Sequence, residues 1–134
     1  MESMHLNPLA IAVAAALSFL IGGVWYSPIL FAKRWQRETG LSDEQLKNAH
    51  MGRTFGLAYL GSLVMAANLA AFLGAQATVG FGLAAGAAAG IGWVAMCFGI
   101  NDLFERRSVV LWLINSGYHV LSLTLMGGLL AWWK

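Results

Sequence analysis

The sequence predicts an all-α integral membrane protein with four transmembrane helices and a short amphipathic helical loop between the first two. Of its 134 residues, 59% are hydrophobic and only 10% carry a charge, whereas about a quarter of the residues in a soluble domain are charged. The charged residues are also confined to short segments outside four long apolar stretches. A soluble chain of this length could not bury so much apolar surface, so we expect residues 1–134 to form one domain covered by the lipid bilayer.

The first transmembrane helix is predicted at about residues 8–27. Asn7 precedes Pro8, an order typical of an N-cap followed by the first helical position. The uncharged stretch of about twenty residues that follows is long enough to cross about 30 Å of hydrocarbon. It ends in Trp25-Tyr26-Ser27-Pro28, where the aromatic residues favour the headgroup layer and the proline stops the helix.

The segment that follows is predicted to hold two short helices at the membrane surface. Residues 29–39 mix apolar side chains with cations, a pattern typical of a helix that lies in the interface, and Gly40 can end it. Ser42 and Gln45 have the spacing of a capping box, which predicts the start of a second helix. We expect a solvated cytoplasmic elbow here, with a partner-docking segment as the alternative.

Three further transmembrane helices are predicted at about residues 54–74, 79–100 and 109–133. The third carries Gly82, Gly86 and Gly90 at intervals of four residues. Small residues at this spacing lie on one face of a helix and let a neighbouring helix approach closely. We therefore predict a helix-packing face, against a helix of this chain or of another subunit; a glycine-lined pore wall is the alternative.

The basic residues predict the orientation of the chain. All Lys and Arg residues except Lys134 lie in the segments 29–53 and 101–108, which precede and follow the second and third spans. Because cytoplasmic loops of membrane proteins carry an excess of Lys and Arg, we expect both segments in the cytoplasm. Both termini are then expected outside.

Polar side chains inside the spans are candidates for a binding site, since they are costly in a membrane unless they pair or face a cavity. His119 is the ionisable group near the centre of a span, and Asn115 and Ser122 share its helix face. Asn68 and Ser18 lie at similar depth in other spans. These five residues are predicted to form a polar layer, either as a histidine held by hydrogen bonds or as a site that contacts a proton or a solute.

The sequence shows no motif of a cofactor site or of a known catalytic centre, and we predict no catalytic residue and no cofactor. Neither a Cys nor a carboxylate accompanies His119, so no metal site is predicted. The single Cys97 excludes an internal disulfide. The formal net charge of +2 is too small to indicate binding to nucleic acid.

Two groups of residues are similar to a known family. They are Asn7–Ala10, Gly22–Pro28, Phe31–Trp35 and Gly40-Leu41 near the start, and Asn115–His119 and Met126–Gly128 near the end. These residues resemble the opening and closing parts of the bacterial family catalogued as domain of unknown function 1761. The resemblance implies a small four-span protein of the inner membrane without an assigned activity. Its signature residues here are Trp25, Tyr26, Ser27, Pro28 and Tyr118, and Ser116 departs from the pattern, in which alanine is more common.

Three functions remain open at this point. The best supported is a small oligomeric unit that binds or transports a solute or an ion, and a path through it would need several copies of the chain. The second is a non-catalytic accessory subunit of a larger membrane complex. The third is an intramembrane enzyme with His119 as base, which is weakest because no acid, nucleophile or metal set accompanies the histidine.

Overall fold

The computed structural model describes residues 6–133, which are all-helical apart from short connections. The helices are α1 (Pro8–Trp25), α2 (Ala32–Thr39), α3 (Asp43–Lys47), α4 (Met51–Leu73), α5 (Val79–Ala89), α6 (Ala95–Glu105) and α7 (Val109–Trp132). A π-helical turn at Gly90–Val94 joins α5 to α6 without a break. Residues 1–5 and Lys134 lie outside the described residues, and with them the predicted positions of both chain ends.

Four helical segments are long and apolar enough to cross a membrane, namely α1, α4, the continuous α5–α6 and α7. This confirms the predicted fold class, including the two short helices α2 and α3 between the first two spans. The third segment continues to Glu105, beyond the predicted end at about residue 100. Hydropathy marks where a helix leaves the hydrocarbon, whereas backbone hydrogen bonding can continue the helix into the charged interface.

Helix caps fix the ends of these segments. The Asn7 side chain accepts hydrogen bonds from the backbone N–H groups of Leu9 and Ala10, at 3.1 and 3.2 Å. Ser42 and Gln45 form the predicted capping box at the start of α3. Gly40 ends α2 in the left-handed conformation with φ of 76°, which a residue with a Cβ adopts only at a cost. The loop between α1 and α4 is therefore a defined helical elbow, called loop one below.

Helix α7 lies at the centre of the bundle. It packs most extensively against α5 and also contacts α1 and α4, whereas α4 and α5 barely touch each other. Ten of its residues are buried, compared with four each in α1 and α4. The main hydrophobic core lies in the half of the bundle remote from loop one, where Ala10, Ala66 and Met126 meet.

The face of α5 that packs on α7 consists of small residues. The contacts pair Gly82 with Gly127, Gly86 with the Leu123 backbone, and Gly90 with Val120. A Cβ added at Gly90 would lie 2.8 Å from the Val120 Cα, and one added at Gly86 would overlap the Leu123 carbonyl group. The two helix backbones are therefore in direct contact, with no room for larger side chains between them.

The π-helical turn carries this face into α6. A π-helix inserts one residue relative to an α-helix, so the contact position after Gly90 is Ala95 and the next is Gly99. The Trp112 indole of α7 donates a hydrogen bond to the Ala95 carbonyl oxygen at 2.8 Å. A Cβ at Gly99 would lie 3.2 Å from the same indole nitrogen. Strict four-residue periodicity would have placed Val94 and Phe98 in these positions.

Candidate ligand-binding site

Within one chain the structure does not assemble the polar layer predicted from the sequence, because Asn68 and Ser18 have other partners. Asn68 is exposed on α4, and its side-chain amide donates to the Val64 carbonyl oxygen one turn earlier, at 2.9 Å. The Ser18 hydroxyl donates to the Ala15 carbonyl oxygen at 2.7 Å and lies 3.1 Å from the Ser62 hydroxyl. Depth in the membrane fixes neither the rotation of a helix nor the choice between local and distant partners.

The three predicted members of the layer on α7, Asn115, His119 and Ser122, also do not bond to one another. Ser122 is 2% exposed, and its hydroxyl has no hydrogen-bond partner within residues 6–133. Asn115 pairs with the first span instead, since its side-chain oxygen accepts a hydrogen bond from the Tyr26 hydroxyl at 2.8 Å. His119 contacts aromatic rings, as described below. The helix face shared by these residues could be read from spacing, but their partners could not.

Two more aromatic donors tie α1 to α7 beside the Tyr26 bond. The Trp25 indole donates to the Ile114 carbonyl oxygen at 2.8 Å. Its ring also packs on Gly117, where an added Cβ would lie only 2.8 Å from the ring edge. The Tyr118 hydroxyl donates to the Ser18 carbonyl oxygen at 3.0 Å. Each bond joins residues about ninety to a hundred positions apart in the chain. Three family signature residues thus serve as interhelical donors.

Five rings follow one another from loop one into the bundle, and we call them the aromatic cluster. The ring centroids are 6.1 Å apart for Trp35 and Tyr26, 5.5 Å for Tyr26 and Tyr118, 4.7 Å for Tyr118 and His119, and 5.3 Å for His119 and Phe98. The first three pairs are edge-to-face, and the last is stacked with an interplanar angle of 27°. Such pairs are favourable beyond the apolar area that they bury.

His119 is half-buried between the Tyr118 and Phe98 rings. Its imidazole makes no hydrogen bond or ion pair to the part of the chain that the structure describes. Asn68, Ser18 and Ser122 therefore do not hold this ring within one chain, and a hydrogen bond to these residues of a neighbouring chain stays a prediction. A neutral imidazole carries one donor and one acceptor, and leaving such groups unpaired in an apolar environment costs a few kcal/mol. The site thus offers aromatic walls and one polar group that the protein does not satisfy.

The remaining signature residues shape the exit of α1. The Ser27 hydroxyl donates to the Val24 carbonyl oxygen at 2.7 Å, and Pro28 lies in the turn that follows. The chain then folds back, so that the Phe31 backbone N–H donates to the Trp25 carbonyl oxygen at 3.1 Å. The two rings of Phe31 and Trp25 are 4.8 Å apart. This reversal brings α2, and with it Trp35, against the aromatic cluster.

An electrostatic contact holds α2 on the start of α7. Ser108 is the N-cap of α7, where its hydroxyl oxygen accepts from the Leu111 backbone N–H at 3.0 Å. A hydrogen bond from the Ser108 side chain lowers the pKa of Glu38, and Arg34 at 3.1 Å adds to this effect. The first turn of α7 has no acidic residue of its own. Glu38 therefore supplies from α2 the negative charge that a helix N-terminus favours.

Sequence reasoning missed Trp35 and Phe98 as members of the cluster. Trp35 was visible as an apolar residue of an interfacial helix, but nothing in its spacing indicated the contact with Tyr26. Phe98 lies on α6 beyond the π-helical turn, and nothing in its spacing indicated the stacking contact with His119. Among residues 6–133, no group of three or more His, Cys, Asp or Glu side chains could hold a metal ion.

Fold and site together define a small four-span membrane protein with an aromatic, histidine-containing site near loop one. The chain belongs to the family described as "Protein of unknown function (DUF1761)", whose model matches residues 9–131. This match confirms the resemblance seen in the sequence. No curated protein and no solved structure matches the chain.

Proposed function

We propose that this protein is a small ligand-binding unit of the membrane, which takes up an organic solute or an ion at the aromatic cluster. The observation that carries the proposal is the His119 imidazole, which lies between two rings and has no hydrogen-bond partner within residues 6–133. An ionisable residue inside a membrane span marks a functional site unless it is paired. A bound molecule that offers a hydrogen-bonding group would satisfy the ring.

The chemistry of the walls limits the class of ligand. The Tyr118 and Phe98 rings flank His119, and the Asn115 amide stands on the same helix face one turn earlier. The Asn115 oxygen is already used by Tyr26, so its amide nitrogen remains as a further donor. A solute with an apolar or planar body and at least one hydrogen-bonding group fits these surroundings. The imidazole can also exchange a proton with such a ligand.

Movement of a ligand across the membrane would require an assembly of several copies. The interior of one bundle is filled by small residues, with Ala10, Ala14 and Ala66 fully buried. At the same time, the first eight residues of α4, from Met51 onward, are all exposed. We propose that this surface contacts other copies of the chain, so that the aromatic cluster lies near an interface between subunits.

The same exposed surface favours a second function, that of an accessory subunit in a larger membrane complex. Phe55 and Leu57 are more than half exposed on α4, and either a second copy or a different protein could cover them. The mass of the detergent-solubilised particle separates these possibilities. An intramembrane enzyme that uses His119 as base is the least supported alternative, because no carboxylate, hydroxyl or thiol of residues 6–133 pairs with the imidazole.

We further propose that the protein resides in a bacterial inner membrane, with loop one and Arg106-Arg107 in the cytoplasm and both termini outside. The distribution of Lys and Arg supports this orientation. Gln76 is exposed in the turn between α4 and α5, so a Gln76→Cys variant in a Cys97→Ala background tests it. We expect a membrane-impermeant maleimide to label this variant in intact cells. Labelling only after the cells are opened would show that the orientation is the reverse of the proposed one.

The function is tested by what the purified protein carries. Wild type and a His119→Leu variant are purified in nanodiscs, and small molecules released by denaturation are compared by mass spectrometry. Trp93→Leu serves as the matched control, since Trp93 is 79% exposed and belongs to none of the ring pairs. We expect at least one compound that is retained by wild type and the control but lost from His119→Leu. Identical extracts from all three proteins would contradict the proposal.

A further inference from the structure

We propose that the furrow between α6 and α7 on the surface of the bundle binds a phosphatidylethanolamine lipid. Its headgroup would lie at Asp102 and Arg107, and an acyl chain would run along the middle of α7. The furrow is made of two adjoining clefts of about 360 and about 420 Å³. They share Met96 and Trp112 as lining residues. This site does not involve His119 and stands independently of the function proposed above.

The first cleft contains a buried carboxylate that the protein does not pair. Asp102 lines this cleft near the end of α6 and is only 9% exposed. Its side chain makes no hydrogen bond or ion pair with any residue that the structure describes. A buried carboxylate without a partner is strongly unfavourable. A cationic group that can donate hydrogen bonds is therefore the missing partner of Asp102.

The same cleft also offers positive charge. Arg107 lines it, and its only ion pair among residues 6–133 is with Glu105 at 3.4 Å, where both side chains are about half exposed. Ion pairs of this kind contribute little, so an anion can replace Glu105. One cleft is thus lined by both a carboxylate and a guanidinium, and these two groups form no ion pair with each other.

The second cleft extends this site into the apolar layer. It is lined largely by apolar side chains, among them Ile91 of the π-helical turn and Val120 and Leu121 of α7. Between Ser108 and Thr124, α7 advances about 24 Å at 1.5 Å per residue, a length that suits an acyl chain below its headgroup. Ser116 also lines this cleft, is 5% exposed and has no hydrogen-bond partner within residues 6–133. Its oxygen has almost no accessible surface, so Ser116 forms part of the cleft wall and does not bond the lipid.

Charge complementarity selects the headgroup. Phosphatidylethanolamine combines an ammonium group, with three N–H donors for Asp102, and a phosphate for Arg107. An anionic lipid such as phosphatidylglycerol offers Asp102 hydroxyl donors but no positive charge, and the negative charge of its phosphate beside Asp102 is not offset within the headgroup. Phosphatidylcholine carries the same net charge as phosphatidylethanolamine, but its quaternary ammonium has no N–H to donate. The furrow is therefore expected to distinguish phosphatidylethanolamine from both.

The experiment is lipid retention measured by native mass spectrometry. The purified protein is equilibrated with equimolar dioleoyl phosphatidylethanolamine, phosphatidylglycerol and phosphatidylcholine, and the bound lipids are counted. We expect phosphatidylethanolamine to be retained about tenfold over each of the others, the scale of one charge-assisted hydrogen bond. Asp102→Asn is expected to remove the preference over phosphatidylcholine. Arg107→Gln is expected to weaken retention of all three lipids.

Matched controls keep the result independent of folding. Arg106 does not line the cleft, and Arg106→Asn removes the same charge one position earlier while keeping a residue that tolerates the left-handed conformation found there. Leu121→Trp fills the apolar cleft, whereas Leu125→Trp changes a residue of the same 38% exposure outside it. Retention should fall in the first of these two tryptophan variants only. Equal retention of the three lipids by wild type, or an unchanged preference in Asp102→Asn, would overturn the proposal.

Discussion

The two sides of α7 are held to their neighbours in different ways. On the α5 side, glycines bring the two backbones into contact, and no side chain separates Gly86 from the Leu123 carbonyl. On the α1 side, large aromatic residues fill the gap, and Trp25, Tyr26 and Tyr118 donate hydrogen bonds across it. The first interface requires residues without a Cβ, whereas the second requires side chains with specific hydrogen-bond donors.

This difference determines what each side can contribute to function. Backbone contact over the length of α5 leaves no space for a ligand and fixes the position of α7. The aromatic side leaves ring faces and polar groups available near loop one, where Tyr118 and His119 lie. The close-packed side therefore serves as the support on which the aromatic side can hold a binding site. Substitutions should separate the two mechanisms.

The largest effect is expected when a methyl group is added to the close-packed side. Gly86→Ala places a Cβ against the Leu123 carbonyl group and the Thr124 Cα, which are backbone atoms that no rotamer change can move away. We expect a loss of about 2–3 kcal/mol in the free energy of unfolding, measured as a lower thermal midpoint in detergent. Gly80→Ala is the control, because a Cβ at Gly80 meets nothing within 4 Å. Equal midpoints for the two variants would mean that α5 and α7 are not in backbone contact.

A smaller effect is expected from removal of one donor on the aromatic side. Trp25→Phe keeps an aromatic ring but deletes the N–H that reaches the Ile114 carbonyl oxygen at 2.8 Å. Interhelical hydrogen bonds in membranes contribute about 0.6 kcal/mol on average and up to about 1.7, so we expect a loss of about 1 kcal/mol. Trp93→Phe should cost less, since Trp93 is 79% exposed. If Trp93→Phe lost more stability than Trp25→Phe, the Trp25 indole would not stabilise the interface.

The predictability of the two sides from the sequence also differs. The spacing of Gly82, Gly86 and Gly90 was enough to place them on one face of the third span, because helix periodicity is a local property. The continuation to Ala95 and Gly99 was hidden by the π-helical turn, which changes the spacing from four residues to five. No pattern in the local sequence predicts the extra residue of this π-helical turn.

The partners on the aromatic side could not be read from the sequence at all. Trp25 and Ile114 are 89 positions apart, and the acceptor is a backbone carbonyl that every residue carries. The same limitation applies to His119, whose helix face was predictable but whose neighbours within the chain were not. The four spans and the capping box, in contrast, depend on composition and short-range spacing, and the structure agrees with them.

A pH-dependent effect is expected where α2 meets α7. The Ser108 hydrogen bond, together with Arg34, lowers the pKa of Glu38 below its ordinary value of 4.5. A carboxyl group with a lowered pKa in the folded state stabilises that state above the ordinary value, and this contribution is lost as the pH falls through the lowered pKa. At neutral pH the thermal midpoint of wild type should therefore be higher than that of Glu38→Gln. The difference between the two midpoints should shrink when the pH falls below about 4.5. Parallel curves for both proteins would show that Glu38 does not hold α2 in place.

The most direct test of the account is the thermal midpoint of His119→Phe. The structure places His119 as a ring between Tyr118 and Phe98, without a hydrogen bond to residues 6–133. Phenylalanine keeps the ring contacts and removes the unsatisfied polar group, so ligand-free His119→Phe should be at least as stable as ligand-free wild type. The variant should also no longer co-purify with the ligand. A histidine that staples helices would give the opposite result. A loss of about 1 kcal/mol, like that expected for Trp25→Phe, would contradict the proposal that the imidazole is left free for a ligand.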